Sequence, residues 1–228
     1  MRLQSLRARH GHRDGADLLA AMVEEFPERL AVISSFGIES AVLLSLVASV
    51  DPGLPVIFLD TGALFDETLA YRDQLVEQLG LRDVRTILPL AEDLAEADEL
   101  WRSDAGRCCA LRKVLPMQRA VTGFDALVDG RKRFHGGDRS LLQTIEAGES
   151  GRVKISPLAR WSEDQIAAAF AASALAAHPL AAQGYRSVGC WPCSRPSLDG
   201  EGPRAGRWAG SGRTECGIHL PLPQEAAQ

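Results

Sequence analysis

Short apolar runs alternate with amphipathic stretches through the first half of the chain. The runs have the length of strands, and we predict buried strands at residues 30–33, 55–59, 84–88 and 126–128. Apolar residues at helical spacing predict helices at residues 15–27, 41–50, 65–79, 94–101 and 110–121, the last kinked at Pro116. Repeated strand–turn–helix units are typical of a parallel sheet covered by helices on both faces. The pattern therefore predicts an α/β fold class with a parallel twisted sheet.

The second half of the chain has a weaker pattern. Residues 153–158 predict an edge strand, because Pro157 cannot donate a hydrogen bond to a sheet ladder. Residues 162–172 predict a helix that Ser162 caps. Gly, Pro, Arg and Cys are frequent from residue 178 onward, which indicates a loop-rich C-terminal segment and not a second domain. We expect a disordered tail at residues 221–228.

Composition and charge exclude several classes of partner. The chain has 228 residues and a net charge of −5, so its bulk charge predicts no binding to nucleic acid or to an anionic membrane. No apolar run approaches the ~20 residues of a membrane span. The basic N-terminal stretch lacks the apolar centre of a secretory signal, and we expect a cytoplasmic protein. The oligomeric state is left open, a homo-oligomer included.

A Ser- and Gly-containing turn, residues 34–40 (SSFGIES), follows the first predicted strand and opens a helix. Backbone N–H groups at such a helix start, together with serine hydroxyls, bind phosphate oxygens. A plain turn with a capping serine is the alternative. Ligands of parallel α/β sheets bind at the carboxyl ends of the strands. We expect residues 34–40 and 60–66 to meet there.

Five cysteines suggest metal or redox chemistry in a reducing compartment: Cys108, Cys109, Cys190, Cys193 and Cys216. The C-x-x-C pair at Cys190 and the adjacent pair at Cys108 make a four-thiolate set, which is typical of zinc or of iron–sulfur clusters. Adjacent cysteines fit the separate iron corners of a cubane better than one tetrahedral zinc ion. This favours an iron–sulfur cluster. A thioredoxin-like redox pair and four unconnected thiols are the alternatives.

The fifth cysteine, Cys216, lies near the C-terminus with Arg213 and His219 close in sequence. Cationic neighbours lower the pKa of a thiol and so activate it as a nucleophile. A spare exposed thiol is the alternative. Basic residues also accompany the other motifs, as in Arg112-Lys113 and in Arg204 and Arg207. In a chain of net negative charge this grouping suggests an anionic substrate, although any one of these residues alone is typical of a solvated surface.

These motifs together resemble the assimilatory adenylyl-sulfate (APS) reductases, within the wider phosphoadenylyl-sulfate (PAPS) reductase family. The resemblance covers about residues 30–220, and the following stretches carry it: SSFGIESAVLL, FLDTGALFDET, CCALRKV, GRKRFHGGDR, HPLAAQGYRSVGCWPC, RAGRWAG and TECGIHL. It implies an adenine nucleotide α-hydrolase-like (PP-loop) fold. It also implies a single reductase domain over residues 1–220, with a nucleotide-binding core at about 28–175 and a cluster loop and catalytic segment at about 176–220.

The resemblance further implies a reaction. Cys216 attacks the sulfate sulfur of APS and expels AMP, and thioredoxin then releases sulfite from the Cys216 thiosulfonate. The implied ligands of one [4Fe–4S] cluster are Cys108, Cys109, Cys190 and Cys193. The implied catalytic residues are Cys216, His219 and Lys113. The implied substrate-binding residues are Ser34, Ser35, Phe36, Gly37, Glu39, Ser40, Asp60, Thr61, Gly62, Arg131, Arg204 and Arg207.

Two departures from the resemblance concern the rim of the substrate site. Residues 127–129 read Leu-Val-Asp where relatives usually carry Trp and Thr or Ser, and His135 stands where Gln is common. Lys113 lies four residues after Cys109, and we hypothesise that it couples cluster and substrate electrostatically. The alternatives are PAPS or both nucleotides as substrate, an ATP-using adenylating enzyme on the same loop, and a non-catalytic zinc module.

Overall fold

The computed structural model describes residues 2–208 and 217–219. The catalytic candidate Cys216 and the predicted tail at 221–228 lie outside the described residues. The strands are β1 (Leu30–Ile33), β2 (Val56–Leu59), β3 (Val84–Ile87), β4 (Ala126–Val128), β5 (Ile145–Ala147) and β6 (Val153–Ile155). The α-helices are α1 (Arg2–His10), α2 (Gly15–Glu25), α3 (Ser40–Val50), α4 (Asp66–Leu79), α5 (Ala91–Glu96), α6 (Leu100–Ser103), α7 (Ala105–Cys109), α8 (Leu115–Ala120) and α9 (Glu163–Ala172).

Within the described part of the chain, these strands form one sheet in the order β3-β2-β1-β4-β6-β5. Neighbouring strands run parallel, except that β5 pairs antiparallel with β6. The predicted α/β fold is confirmed, with the addition of this antiparallel strand at one edge. No helix of the described residues is long and apolar enough to cross a membrane.

The two faces of the sheet bury separate apolar clusters. Leu30 and Val32 of β1 pack into one cluster, and Ala31 between them packs into the other. The first cluster includes one or more residues from each of α2, α3, α4 and α9, among them Leu18, Val42, Tyr71 and Ile166. The second cluster includes Met117 of α8. Burial on both faces explains why the central strands appear as continuous apolar runs.

The prediction of an edge strand at residues 153–158 is wrong. β6 is an inner strand, since it pairs with β4 on one side and with β5 on the other. Pro157 lies beyond Ile155, where the strand has already ended, so its missing N–H removes no ladder hydrogen bond. The edge strand on this side of the sheet is β5, whose three residues are too few to show a period.

The helix that carries the adjacent cysteines begins earlier than predicted. It runs from α7 through a π-helical turn, Ala110–Val114, into α8. Pro116 has no N–H, and its ring would collide with the carbonyl four residues earlier in a regular α-helix. A wider turn just before the proline accommodates it. The predicted helix at 94–101 is two short helices, because the backbone at Glu99 is left-handed (φ 53°).

The helix starts at Ser162 as predicted. The Ser162 hydroxyl accepts a hydrogen bond from the Gln165 N–H (3.1 Å), and the Gln165 side chain accepts one from the Ser162 N–H (2.8 Å). This reciprocal pair is a capping box. Helix α1 was not predicted, although it buries Leu6 and its Arg7 donates to the Ile145 carbonyl of β5 (2.8 Å). A nine-residue basic segment has too weak an apolar period to indicate a helix by itself.

Candidate active site

A polar pocket of about 170 Å³ opens where the strand order reverses, between the carboxyl ends of β1 and β4. Connections leave these two strands in opposite directions, so their loops diverge and leave a crevice. The loop after β1 and the start of α3 line one side of the pocket, with Ser34, Ser35, Gly37, Glu39 and Ser40. The residues from the loop after β4 include Asp129, Arg131, Lys132, His135 and Arg139, and those from later in the chain include Arg186, Arg204 and Arg207.

The loop after β1 is held in place by its own side chains. Phe36 has a left-handed backbone (φ 48°), and its N–H donates to the Ser34 hydroxyl (3.2 Å). The Phe36 ring is fully buried and packs edge-on against Phe58, with ring centres 5.4 Å apart. Phe36 is therefore the one predicted residue of this loop whose side chain anchors the loop in the core and does not line the pocket.

A buried ion cluster joins the two loops of the pocket. Glu39 accepts from Lys132 Nζ (2.5 Å) and contacts His135 Nε2 (3.0 Å). Burial alone would raise the pKa of Glu39, but the hydrogen bond from His135 and the charge of Lys132 outweigh it and lower the pKa to about 2. Burial lowers the pKa of Lys132, and the Glu39 charge opposes that shift. The carboxylate thus stays ionised between the two loops at neutral pH.

The predicted residue Arg131 is held by carboxylates. Its Nε donates to Asp129 (2.7 Å), and its Nη2 lies 3.4 Å from a carboxylate oxygen of Glu146. Asp129 also accepts from the Ser156 hydroxyl (2.8 Å). Arg131 lines the pocket in this orientation, and its role in substrate binding stays a prediction.

The C-terminal arginines reach the pocket over a buried tryptophan. The guanidinium carbons of Arg204 and Arg207 lie 5.4 Å and 4.4 Å from the centre of the Trp208 ring. Arg207 also donates to the Val188 carbonyl (2.8 Å). Gly189 leaves the space for this guanidinium, because a Cβ there would lie 2.2 Å from an Arg207 nitrogen.

A second cavity, of about 140 Å³, is lined by Cys108, Cys109, Cys190 and Cys193 together with Lys113. The adjacent cysteines end α7, and the C-x-x-C pair forms a short 3-10 turn. Among the described residues, no three His, Cys, Asp or Glu side chains converge on the position of a single metal ion. Four thiols that line one cavity are, by their chemistry, a donor set that an iron–sulfur cluster takes, with each thiolate bound to a different iron. The donor set therefore fits an iron–sulfur cluster.

The thiols of this cavity differ in their electrostatic surroundings. Burial would raise the pKa of Cys190, but the charge of Lys113 and a hydrogen bond to Thr61 outweigh it, so the pKa is lowered. Burial raises the pKa of Cys193, and the neighbouring Cys190 raises it further. Burial also raises the pKa of Cys108. Cys190 is accordingly the thiol of these three that most readily exists as a thiolate.

The loop after β2 meets the cysteines and not the polar pocket. The Thr61 hydroxyl lies 3.3 Å from Cys190 Sγ, and the Thr61 carbonyl accepts from Arg112 (2.8 Å). Asp60 accepts from the Gly62 N–H (3.0 Å) and so closes the turn. Strand β2 is one position farther from the reversal of strand order than β1, which explains this placement. The loops at residues 34–40 and 60–66 both follow the carboxyl ends of neighbouring parallel strands, as expected, but Gly62 and Ala63 line the cavity with the cysteines. The assignment of Asp60, Thr61 and Gly62 to substrate binding stays a prediction.

The end of the described chain returns to the pocket. Gly217–His219 forms a short 3-10 turn, and Ile218 lies against the second apolar cluster while also lining the polar pocket. Ile218 stands two residues after Cys216 in the sequence. Cys216 itself lies outside the described residues, and the catalytic roles of Cys216 and His219 stay predictions.

Residues 29–196 match the family described as "Phosphoadenosine phosphosulfate reductase domain". The chain belongs to the PAPS/APS reductase family. Curated relatives in this family include the adenosine 5′-phosphosulfate reductase of Chelativorans sp. (strain BNC1), which is 47% identical over 95% of this chain and 90% of its own. The adenosine 5′-phosphosulfate reductase of Mesorhizobium japonicum is 46% identical over 94% of this chain and 86% of its own.

Solved structures agree with the family assignment. The phosphoadenylyl-sulfate reductase of Candida auris, crystallised with phosphate, superposes with a TM-score of 0.71 at 27% identity over 83% of this chain and 94% of its own. The FMN adenylyltransferase of Candida glabrata shares the fold alone, with a TM-score of 0.59 at 15% identity over 86% of this chain and 67% of its own. The predicted adenine nucleotide α-hydrolase-like fold is confirmed.

Sequence reasoning missed several residues that line the polar pocket. Lys132 and Arg139 belong to the motif GRKRFHGGDR, of which only Arg131 was assigned to substrate binding and His135 was noted as a departure at the rim. The signal available was the position of that motif directly after the strand 126–128, at a carboxyl end of the sheet. Gly189 was missed because its importance depends on Arg207, which is 18 residues later.

Proposed function

We propose that this chain reduces APS to sulfite and AMP, with thioredoxin as the electron donor, as a step of sulfate assimilation. One observation carries the proposal: a single loop lines both cavities. Residues 186–188 line the polar pocket, and residues 190–193 line the second cavity, which the four cysteines surround. Arg207 lines the first cavity and its charge lowers the pKa of Cys190 in the second. An anionic nucleotide bound in the pocket would thus lie beside the four cysteines.

The pocket suits the phosphosulfate group of APS. The sulfate sulfur is shielded by negatively charged oxygens, so thiolate attack needs cations that stabilise both the sulfate and the departing phosphate. Arg204 and Arg207 line the pocket and supply such charge, and α3 begins at Ser40, another lining residue, so that the positive end of its helix dipole adds to this charge.

The proposed reaction balances in two transfers. The Cys216 thiolate forms a bond to the sulfate sulfur, the bond from that sulfur to the phosphate oxygen breaks, and AMP leaves with the electron pair. A thiolate of thioredoxin then attacks Cys216 Sγ, and sulfite leaves with the electrons of the sulfur–sulfur bond. The second thiol of thioredoxin resolves the mixed disulfide, so that two thiols are oxidised for each sulfite released.

The relatives support APS as the preferred nucleotide, because those at 47% and 46% identity are named adenosine 5′-phosphosulfate reductases. PAPS as the substrate, or both nucleotides, is the alternative that a direct comparison tests. The reaction needs a reduced thiol on Cys216, which agrees with a cytoplasmic location.

We propose that Cys108, Cys109, Cys190 and Cys193 hold a [4Fe–4S] cluster. When bound, the cluster would add a net negative charge near the cations that are proposed to bind the substrate. Lys113 is buried and lines the same cavity, and its charge lowers the pKa of Cys190. Its position supports a role in balancing that negative charge against the bound sulfate.

Anaerobic purification followed by a sulfite assay tests the proposal. The protein is expected to be brown and to release sulfite from APS with thioredoxin, thioredoxin reductase and NADPH in the absence of ATP. Cys216→Ser is expected to abolish sulfite release and keep the colour, and Cys193→Ser is expected to lose the colour. No sulfite without ATP would favour an adenylating enzyme, whereas a colourless protein that contains zinc would refute the cluster. Equal rates with PAPS would replace APS preference by dual specificity.

A further inference from the structure

A histidine in the polar pocket connects a cation to a carboxylate. Arg139 Nη1 lies 3.2 Å from His135 Nδ1, and His135 Nε2 lies 3.0 Å from Glu39 Oε2. A guanidinium can only donate hydrogen bonds, so Nδ1 must accept one and carries no proton. The proton of the neutral ring is therefore on Nε2, from which it is donated to Glu39. The geometry assigns one tautomer to His135.

The surroundings of His135 keep the ring neutral at neutral pH. Its side chain is only 9% exposed, and the Phe134 ring packs edge-on against it. Within the described residues, the charged groups that face it are Glu39 from the loop after β1, and Lys132 and Arg139 from the loop after β4. Burial and the two cations lower the pKa of His135, while Glu39 opposes that shift.

The imidazole thereby links residues of both loops that form the pocket. Glu39 accepts from His135 and from Lys132 at the same oxygen, and Lys132 and Arg139 both line the pocket. Because the ring accepts from Arg139 on one side and donates to Glu39 on the other, it orients the guanidinium and the carboxylate together. A doubly protonated ring would present an N–H to the donors of Arg139 and would end this contact.

We propose that His135 is a positioning residue, which as its Nε2–H tautomer holds Arg139 and the Glu39–Lys132 pair in the arrangement that binds the anionic part of the nucleotide, and that its protonation weakens nucleotide binding in acid. The proposal rests on the proposed function for the identity of the nucleotide. It requires no contact between His135 and the nucleotide.

Two substitutions separate this role from simple packing. His135→Gln keeps one acceptor and one donor at the end of the side chain but does not titrate. His135→Leu has a similar bulk and neither group. Gln should therefore preserve the link between Arg139 and Glu39 and remove its dependence on pH, and Leu should break the link at every pH.

Calorimetric titration of AMP into the anaerobically purified full chain, at pH 5.5, 6.5 and 7.5, measures the effect. At pH 7.5 His135→Leu is expected to bind AMP about ten-fold more weakly than the wild type, and His135→Gln is expected to stay within about three-fold. The affinity of the wild type should fall more steeply towards pH 5.5 than that of His135→Gln. The AMP phosphate titrates in this range as well, and the comparison of the two proteins removes its contribution.

A second measurement does not depend on the ligand or on the stability of the Leu variant. ¹⁵N-labelled histidine observed by NMR at pH 7.5 should show His135 with a protonated Nε2 and an unprotonated Nδ1, and the signal is assigned by its loss in His135→Gln. Protonation at Nδ1 would overturn the proposal. So would equal AMP affinities of the wild type and a folded His135→Leu, or equal pH dependence of the wild type and His135→Gln. Absence of sulfite release by the wild type would refute the proposed function and leave these three outcomes interpretable.

Discussion

The guanidinium of Arg207 occupies the space that any side chain on Gly189 would need. A Cβ built on Gly189 lies 2.2 Å from one Arg207 nitrogen and 2.6 Å from the guanidinium carbon. Both distances are far inside van der Waals contact. Gly189→Ala must therefore displace the guanidinium from its hydrogen bond with the Val188 carbonyl (2.8 Å) and from its place over the Trp208 ring.

The cost to stability and the cost to activity should differ. The atoms that collide belong to the far end of a flexible side chain, so the loss of stability should be small: about 1 kcal/mol for the hydrogen bond to Val188 and about 0.5–1 kcal/mol for the contact with the Trp208 ring. The pocket loses a cation to which the proposed function assigns the phosphosulfate. A hydrogen bond to a charged group contributes about 1.5–3 kcal/mol, which corresponds to about a 10- to 160-fold fall in kcat/KM.

Steady-state sulfite release from APS measures this fall, and urea unfolding measures stability. Gly202→Ala is the matched control, because in the described part of the chain no heavy atom outside its two sequence neighbours lies within 4 Å of a Cβ at Gly202. Combining Gly189→Ala with Arg207→Ala should be no worse than Arg207→Ala alone, since both changes remove the same group. Unchanged kcat/KM in Gly189→Ala, or a double variant much slower than Arg207→Ala, would refute the reasoning.

Three further predictions concern separate parts of the molecule. Lys113→Ala should reduce sulfite release far more than it changes the visible absorbance of the cluster, because Lys113 supplies charge and binds no iron. The buried His178 donates to the Thr68 hydroxyl and accepts from the Leu180 N–H, and burial lowers its pKa from 6.5 to about 4. The pKa of His178 is lower in the folded than in the unfolded chain. The stability that the neutral, hydrogen-bonded His178 contributes is therefore complete above about pH 6.5 and is lost as the pH falls towards 4. Urea unfolding should show the wild type losing about 2 kcal/mol more than His178→Gln between pH 7 and pH 5. Ser162→Ala removes the capping box of α9 and should lower the free energy of unfolding by about 1 kcal/mol.

Each of these predictions has an outcome that contradicts it. Full turnover in Lys113→Ala would show that its charge does not act on the sulfate. Parallel pH dependence of stability in the wild type and His178→Gln would show that His178 titrates alike in the folded and unfolded chain. Unchanged urea midpoints for Ser162→Ala would show that α9 unfolds separately from the transition being measured.

The local pattern was sufficient for most strands and helices of the first half of the chain, although it missed α1 and joined α5 and α6 into one helix. β1 begins and ends as predicted, and β2, β3 and α4 differ from their predicted bounds by one residue at an end. Their signals are local, because an apolar run of strand length followed by a helical period does not depend on distant partners. The capping box at Ser162 was likewise predictable, since both of its residues lie within one helical turn.

Pairings between distant segments were decided by the tertiary structure. β6 became an inner strand because β5 covers it, and Thr61 meets Cys190, which is 129 residues away, a contact that no local pattern indicates. Lys132 and Glu39 are 93 residues apart, and their ion pair exists because the loops after β1 and β4 flank the reversal of strand order. A sequence period reports only which face of an element is apolar and not which elements lie beside each other.

The sequence by itself therefore determined the chemistry available to this protein: four cysteines in two pairs, a fifth near the C-terminus, a serine-rich turn after a buried strand, and several basic clusters. The tertiary structure decided how these residues are divided. It placed one set of cations at the polar pocket, Lys113 and Thr61 at the cysteines, and one loop between them. That division follows from the order of strands in the sheet, because the order sets which carboxyl ends are neighbours and hence which loops meet.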